Sequence, residues 1–320
     1  MITKDLDLAK KVLLSGELIA IPTETVYGLA GNAFDPAVVR KIFTLKKRPF
    51  YNPLIVHIKS IDYLSKVATD IPETAMKLAQ EFWPGSLTLV LKKQPEVPEL
   101  VTAGKETVAV RIPNHPLTLE LLNKLDFPLA APSANPFGSI SPTSAEHVSA
   151  YFGDELGLIL DGGNCERGLE STILGFEEDN PVLYRLGSLS LEEIEDRIGS
   201  LSLKIHSDKN KPEAPGMLSK HYAPSTETYF PDDLDAFLKQ TENKNIGLIL
   251  FSKAYRDFPR ENQEILSETG DLNEAARNLY SAMHRLDKRN FDMIVAQRFP
   301  DRGLGKTIND KLRRAATRST

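Results

Sequence analysis

Three arginines, Arg48, Arg111 and Arg185, sit on well-separated apolar segments, and each asks for an anion. A guanidinium forms forked, charge-assisted hydrogen bonds to carboxylate or phosphate, roughly 1.5–3 kcal/mol each. Arg48 follows Lys46 and Lys47 and precedes Asn52 and the strand-like "PLIVHI", which carries His57. Lysines settling on a helix C-terminal dipole are the simpler account of that run; an anion pocket is the other. Arg111 ends "TVAVR", where alternation puts Thr107, Ala109 and Arg111 on one face. A charged side chain there is seldom left unpaired, so an internal salt bridge competes with a bound carboxylate. Arg185 closes "VLYR".

Hydroxyls and small residues accompany these cations. In "AIPTETVYGLAG", residues 20–31, Pro22 ends a strand, and Thr23, Glu24, Thr25 and Tyr27 follow in a loop. Gly28 and Gly31 are expected to let its backbone pass close to a ligand. "AAPSANPFGSISPT" offers Ser133, Asn135, Ser139 and Ser141 beside the small Ala130, Ala131 and Ala134. "DGGNCERGLEST" leads to Ser171 and Thr172, and "PGMLSKHYAP" sets Lys220, His221 and Tyr222 in a linker. In open α/β sheets ligands bind beyond the carboxyl ends of strands. The clusters therefore describe one pocket for a polyanion plus a small polar ligand.

Several other chemistries are excluded. The chain has no G-x-x-x-x-G-K-[ST] loop, no G-x-G-x-x-G after a strand and no G-x-S-x-G elbow. Six histidines without H-E-x-x-H, and one cysteine, Cys165, leave neither a thiolate zinc cage nor an internal disulfide. A net charge of −5 argues against coating nucleic acid by bulk charge. No signal-like core or membrane-length apolar run stands out, so a cytoplasmic protein with no membrane partner is expected.

The elements that must position these residues alternate between helical and strand periods. "DLDLAKKVLLSG" reads as a helix ending at Gly16, and Asp35–Pro36 as cap and first residue of another. Strands are expected in "ELIAI", "PLIVHI", "SLTLVLKK", "TVAVRIP", "FPLAAPSA", "GLILD", "STILGF" and "PVLYRLG". The pattern lapses from 204 to 228 and resumes as a compact βα unit. Two α/β domains, 1–203 and 229–320, joined by a structured linker at 204–228, are the economical division.

The motifs "PTETVYGLAG", "KKRPFYNPLIVHI", "FWPGSLTLVL", "VAVRIPNHP", "APSANPFGSISPT", "ILDGGNCERGLESTI" and "APGMLSKHYAP" occur in that order. With them the chain closely resembles the L-threonylcarbamoyladenylate synthases built from a YrdC-like domain and a smaller C-terminal domain. The motif match runs through residue 224; beyond it the likeness rests on position and α/β pattern. The resemblance implies a twisted, mixed, open sheet with a concave basic cleft, followed by a small Rossmann-like α/β domain. It implies that L-threonine, bicarbonate or CO2, and ATP give threonylcarbamoyl-AMP and pyrophosphate. The product would pass to a tRNA threonylcarbamoyl transferase, for adenosine in tRNAs reading codons that begin with A.

Carried over residue by residue, threonine would be held by Thr25, His57, Arg111, Ala131 and Ser171. ATP would contact Arg48, Asn52, Thr107, Ser133, Ser141, Arg185 and Tyr222. Arg48 and Arg111 would carry the catalytic charge stabilisation, Lys46 would add to the basic face, and the linker would fold Tyr222 over the nucleotide. Mg2+ would arrive with ATP, no metal would be held by protein, and direct tRNA binding is left open. "PTET" replaces the Asp variant of many relatives. A non-catalytic RNA-binding module, or carbamoyl transfer from carbamoyl phosphate, would be the competing functions.

Overall fold

Helices begin where short polar acceptors precede an apolar period. The Asp5 carboxylate accepts from the N–H groups of Asp7 and Leu8 ahead of the helix Leu6–Leu14. Asp35 accepts from Ala37 and Val38 ahead of Pro36–Lys46, with proline in the first turn. Each cap satisfies orphan donors of a first turn, at about 1 kcal/mol. Ser190 and Glu193 close a reciprocal capping box on Leu191–Ile198. The structure, a computed structural model, describes residues 1–205, 214–217, 222–241, 244–256 and 258–316.

The larger sheet is formed by β1 (Ile2–Thr3), β2 (Ile19–Ile21), β3 (Gly28–Asn32), β4 (Ile55–His57), β5 (Leu87–Lys92), β6 (Thr107–Arg111), β7 (Leu129–Ala130), β8 (Ile159–Leu160), β9 (Thr172–Glu177), β10 (Asn180–Arg185) and β11 (Ser202–Leu203). Their order is β1-β8-β2-β3-β7-β4-β6-β5-β9-β10-β11. The pairing is mixed, as expected: β4 and β6 run parallel, while β5–β6, β4–β7 and β9–β10 are antiparallel. Register sets His57 beside Arg111 at the shared carboxyl ends of β4 and β6.

The second sheet holds β12 (Thr228–Tyr229), β13 (Ile246–Leu250), β14 (Gln263–Ile265) and β15 (Met293–Ala296), in the parallel order β12-β15-β13-β14. The helices Leu272–Asp287 and Leu304–Ala315 bury Leu279, Met283, Ile308 and Leu312 against it. That apolar cluster runs on into the first sheet's loops through Val26, Ile140, Leu169 and Tyr222. The two sheets thus share a core rather than hanging on a tether.

One expectation about the opening loop is corrected. Gly28 and Gly31 are not in a loop but in β3, paired antiparallel with β2 and β7. A Cβ on Gly31 would meet Val38 Cγ1 at 2.6 Å and Leu18 Cδ2 at 2.7 Å. Its bareness lets the helix Pro36–Lys46 rest on the strand; it does not serve a ligand. Gly31→Ala should therefore cost about 1–3 kcal/mol through overpacking, seen as a lower Tm. An unchanged Tm would mean that Val38 and Leu18 give way freely.

Candidate functional site

The turn between β2 and β3 is organised by Thr23. Its hydroxyl accepts from the N–H groups of Thr25 and Val26, both at 3.2 Å, and donates to Val26 O at 2.6 Å. Because that proton is spent, the Thr25 hydroxyl must be the donor in the 2.8 Å contact between the two threonines. Thr25 Oγ1 also accepts from Arg111 Nη1 at 2.9 Å. One lone pair of Thr25 is left, so it can accept from a ligand but not donate to one.

Arg111 resolves the choice between internal and external partners. Nη2 lies 2.5 Å from Glu24 Oε1, both side chains 4% exposed, and Nε donates to Gly85 O at 3.0 Å. Glu24 accepts further from Ser86 Oγ and Asn114 N. The guanidinium is thus tied into the protein, and its charge is balanced internally. His57 is buried beside it. Burial, reinforced by Arg111, pushes the imidazole down to about 3, so it is neutral at physiological pH. Its Nδ1 makes no well-formed hydrogen bond.

Arg48 and Arg185 differ from Arg111. Arg48 donates from Nε and Nη2 to Asn52 O and Oδ1, at 3.0 and 2.7 Å, and to Pro53 O at 2.7 Å. Arg185 donates to Ser171 O at 3.1 and 2.7 Å, to Ser171 Oγ at 3.1 Å and to Pro215 O at 3.2 Å. Both are almost fully buried, and among the described residues neither is in salt-bridge contact with a carboxylate. Burial lowers Arg48 only to about 9, which leaves it cationic. Two buried cations bonded to neutral groups on one cavity are the strongest anion signal among the described residues.

These groups surround one cavity of about 50 Å³. Thr25, Arg48, His57, Arg111, Ala131, Ser133, Ser171, Arg185 and Tyr222 line it. Asn52, Thr107 and Ser141 do not. Asn52 is fully buried behind Arg48, and Thr107 pairs with Lys92 at the far end of β6. Ser141 turns instead to Glu170, donating at 2.6 Å. Lys46 does not add to a basic face: it is 1% exposed and donates to the carbonyls of Ser133 and Asn135, holding the "APSANP" turn from behind. Lys220 and His221 lie outside the described residues, as do 206–213 and 218–219 of the linker.

Sequence reasoning missed Glu170, Tyr280 and Lys311. The carboxylate lines the cavity, accepts from Ser141 and from Tyr280 OH at 2.9 Å, and pairs with the Lys311 ammonium 3.3 Å away. Burial alone would raise it, but Lys311, Arg185 and the Ser141 bond outweigh that and hold it near 2. An acidic residue inside "RGLEST" gave the only hint; Tyr280 and Lys311 stand on apolar helix faces that read as ordinary core.

A family model described as telomere recombination matches residues 11–187. A second, described as the C-terminal domain of threonylcarbamoyl-AMP synthase, matches residues 189–317. Threonylcarbamoyl-AMP synthase of Pyrococcus abyssi is 42% identical, covering 97% of this chain and 93% of that protein. The Bacillus subtilis protein of the same name is 39% identical, over 96% and 92%. The crystal structure of P. abyssi Sua5 complexed with L-threonine aligns with a TM-score of 0.91 at 39% identity, over 99% of this chain and 97% of that one. With both sheets and nearly the whole length matched, the chain belongs to the threonylcarbamoyl-AMP synthase family.

Proposed function

We propose that this protein condenses L-threonine, bicarbonate or CO2, and ATP into threonylcarbamoyl-AMP, releasing pyrophosphate. The observation that carries the reading is the pair Arg48 and Arg185: buried, charged and bonded only to neutral groups on one cavity. A triphosphate supplies the missing anion. Threonine takes the neighbouring corner, where Thr25 offers its remaining lone pair and neutral His57 its ring. The amine adds to CO2, and the carbamate oxygen attacks the α-phosphorus while pyrophosphate departs. Such transfers depend on positioning and charge stabilisation more than on covalent help. The charge-balanced Arg111–Glu24 pair acts here as the frame that fixes Thr25, while Arg48 and Arg185 face the phosphates.

Among the described residues no cluster of acidic, His or Cys side chains could hold a metal. The carboxylates beside the cavity, Glu24 and Glu170, are each consumed by internal partners. In this reading Mg2+ arrives as part of the ATP substrate. The first sheet, residues 1–203, carries the reaction, with 204–228 as linker and 229–320 as a supporting domain. None of the described helices is long and apolar enough to cross a membrane. We assign the protein to the cytoplasm, where its labile product would pass directly to a tRNA threonylcarbamoyl transferase. The test is pyrophosphate release, expected only when threonine and bicarbonate are both present. Equal ATP cleavage without threonine would refute the assignment.

A further inference from the structure

Tyr222 stands on the cavity wall in an unusual posture. Its φ of 68° is left-handed, a conformation that bulky side chains rarely adopt, and it is 1% exposed. Such a backbone persists only where the surroundings over-determine it. Ala223 N–H donates to Gly138 O at 2.8 Å, the Tyr222 ring centroid lies 5.8 Å from that of Tyr280, and further contacts come from the other sheet's last helix, Leu304–Ala315. Lys311 Nζ donates to Tyr222 OH at 3.2 Å and lies 4.4 Å from the ring centroid. The same ammonium is 3.3 Å from Glu170 Oε2, and its side chain is 0% exposed. One turn on, Arg314 donates to Gly216 O, where a Cβ would meet Arg185 Nη1 at 2.9 Å and Tyr222 OH at 3.1 Å.

Stability alone does not explain a buried ammonium at that point. Desolvating it costs several kcal/mol, which an apolar side chain would avoid. What an apolar side chain could not do is neutralise Glu170, the carboxylate that otherwise competes with phosphate for Arg185. Nor could it hold the Tyr222 ring by its charge.

We propose that Lys311 is a nucleotide-positioning residue: from the C-terminal domain it fixes the Tyr222 ring at the cavity and cancels the Glu170 charge there, leaving Arg185 available to the triphosphate. This rests on the functional reading above. It gives the C-terminal domain a part in the reaction through one buried cation, with no contact to substrate required.

The test is ATP and L-threonine binding by calorimetry, beside thermal melting, for Lys311→Met, Tyr222→Ala and the double variant. Lys311→Met should weaken ATP about tenfold, the scale of a desolvated cation–π contact and ion pair, and leave threonine affinity within about twofold. In the Tyr222→Ala background the same change should cost at most about threefold more, because the ring it acts through is gone. Unchanged ATP affinity, equal losses for both substrates, or full additivity with Tyr222→Ala would each overturn the role. Should Lys311→Met lack a cooperative melt, Glu170→Gln/Lys311→Gln is compared with Glu170→Gln alone. The pair should bind ATP about fivefold more weakly, and equality would overturn the role. Wild-type protein that releases no threonine-dependent pyrophosphate sinks the functional reading instead; active wild type with normal ATP binding in Lys311→Met sinks only the role of Lys311.

Discussion

Arg111→Ala is expected to lose about 3–5 kcal/mol of stability, the cost of stranding a buried charge by removing its partner. Glu24 would keep its bonds from Ser86 and Asn114 but lose its cation while 4% exposed. Gly85 O and Thr25 Oγ1 would each lose a donor as well. For a chain of this size the Tm should fall by about 10 °C, and threonine binding should drop with it. The two effects separate in Glu24→Gln/Arg111→Met, which removes both charges at similar volume. Its stability should return to within about 1–2 kcal/mol of wild type. Threonine affinity should stay low, because Thr25 has lost the donor that orients its hydroxyl. A melt of Arg111→Ala within about two degrees of wild type would contradict the buried ion pair. A double variant no more stable than the single one would show that the stranded charge is not the cause.

The same pair shows where sequence reading runs out. Alternation in "TVAVR" placed Arg111 on a buried face and posed the right choice, internal salt bridge or bound carboxylate. Nothing in the spacing could say that Glu24, almost ninety residues away, was the partner. Periods and caps behave otherwise: Asp5, Asp35 and Ser190 act within a single turn, so their helices were legible. β3 was hidden because Gly28 and Gly31 read as turn residues, whereas Gly31 is bare to admit Val38 and Leu18. Lys46 looked like surface charge at a helix end, yet its ammonium is turned inward to the carbonyls of Ser133 and Asn135. Glu170, Tyr280 and Lys311 meet only because two distant sheets share one core, a long-range fact with no local signature.

Acid should weaken the fold well before its carboxylates titrate. His57 is held near 3 by burial and Arg111. His284 is held near 3 by burial and His147, and His147 near 4 by burial and Lys288. The last two stack with centroids 3.9 Å apart, joining the helices Ala145–Phe152 and Leu272–Asp287 across the two sheets' boundary. Tyr151 covers the stack, Ser141 O faces His284, and Glu146, Arg285, Asp287 and Lys288 surround it. Two imidazolium rings at that distance would repel strongly. In the unfolded chain each histidine titrates near 6.5, so the native state binds fewer protons below that pH. Stability is therefore complete above about pH 6.5 and lost as pH falls. Three fully neutral native histidines would cost about 6 kcal/mol between pH 7 and 5; partial exposure of His147 and solvent screening bring the expectation to about 3 kcal/mol. Glu170 acts in the same direction only lower down, from about 4.3 towards its native value near 2. Denaturant melts at half-unit pH steps should thus show a slope of about one to one and a half protons between pH 6 and 4.5. His284→Gln should remove about a third to a half of a proton from that slope. Flat stability from pH 7 to 5 would mean that the native protein already accepts these protons, and that the stacked pair is not held neutral.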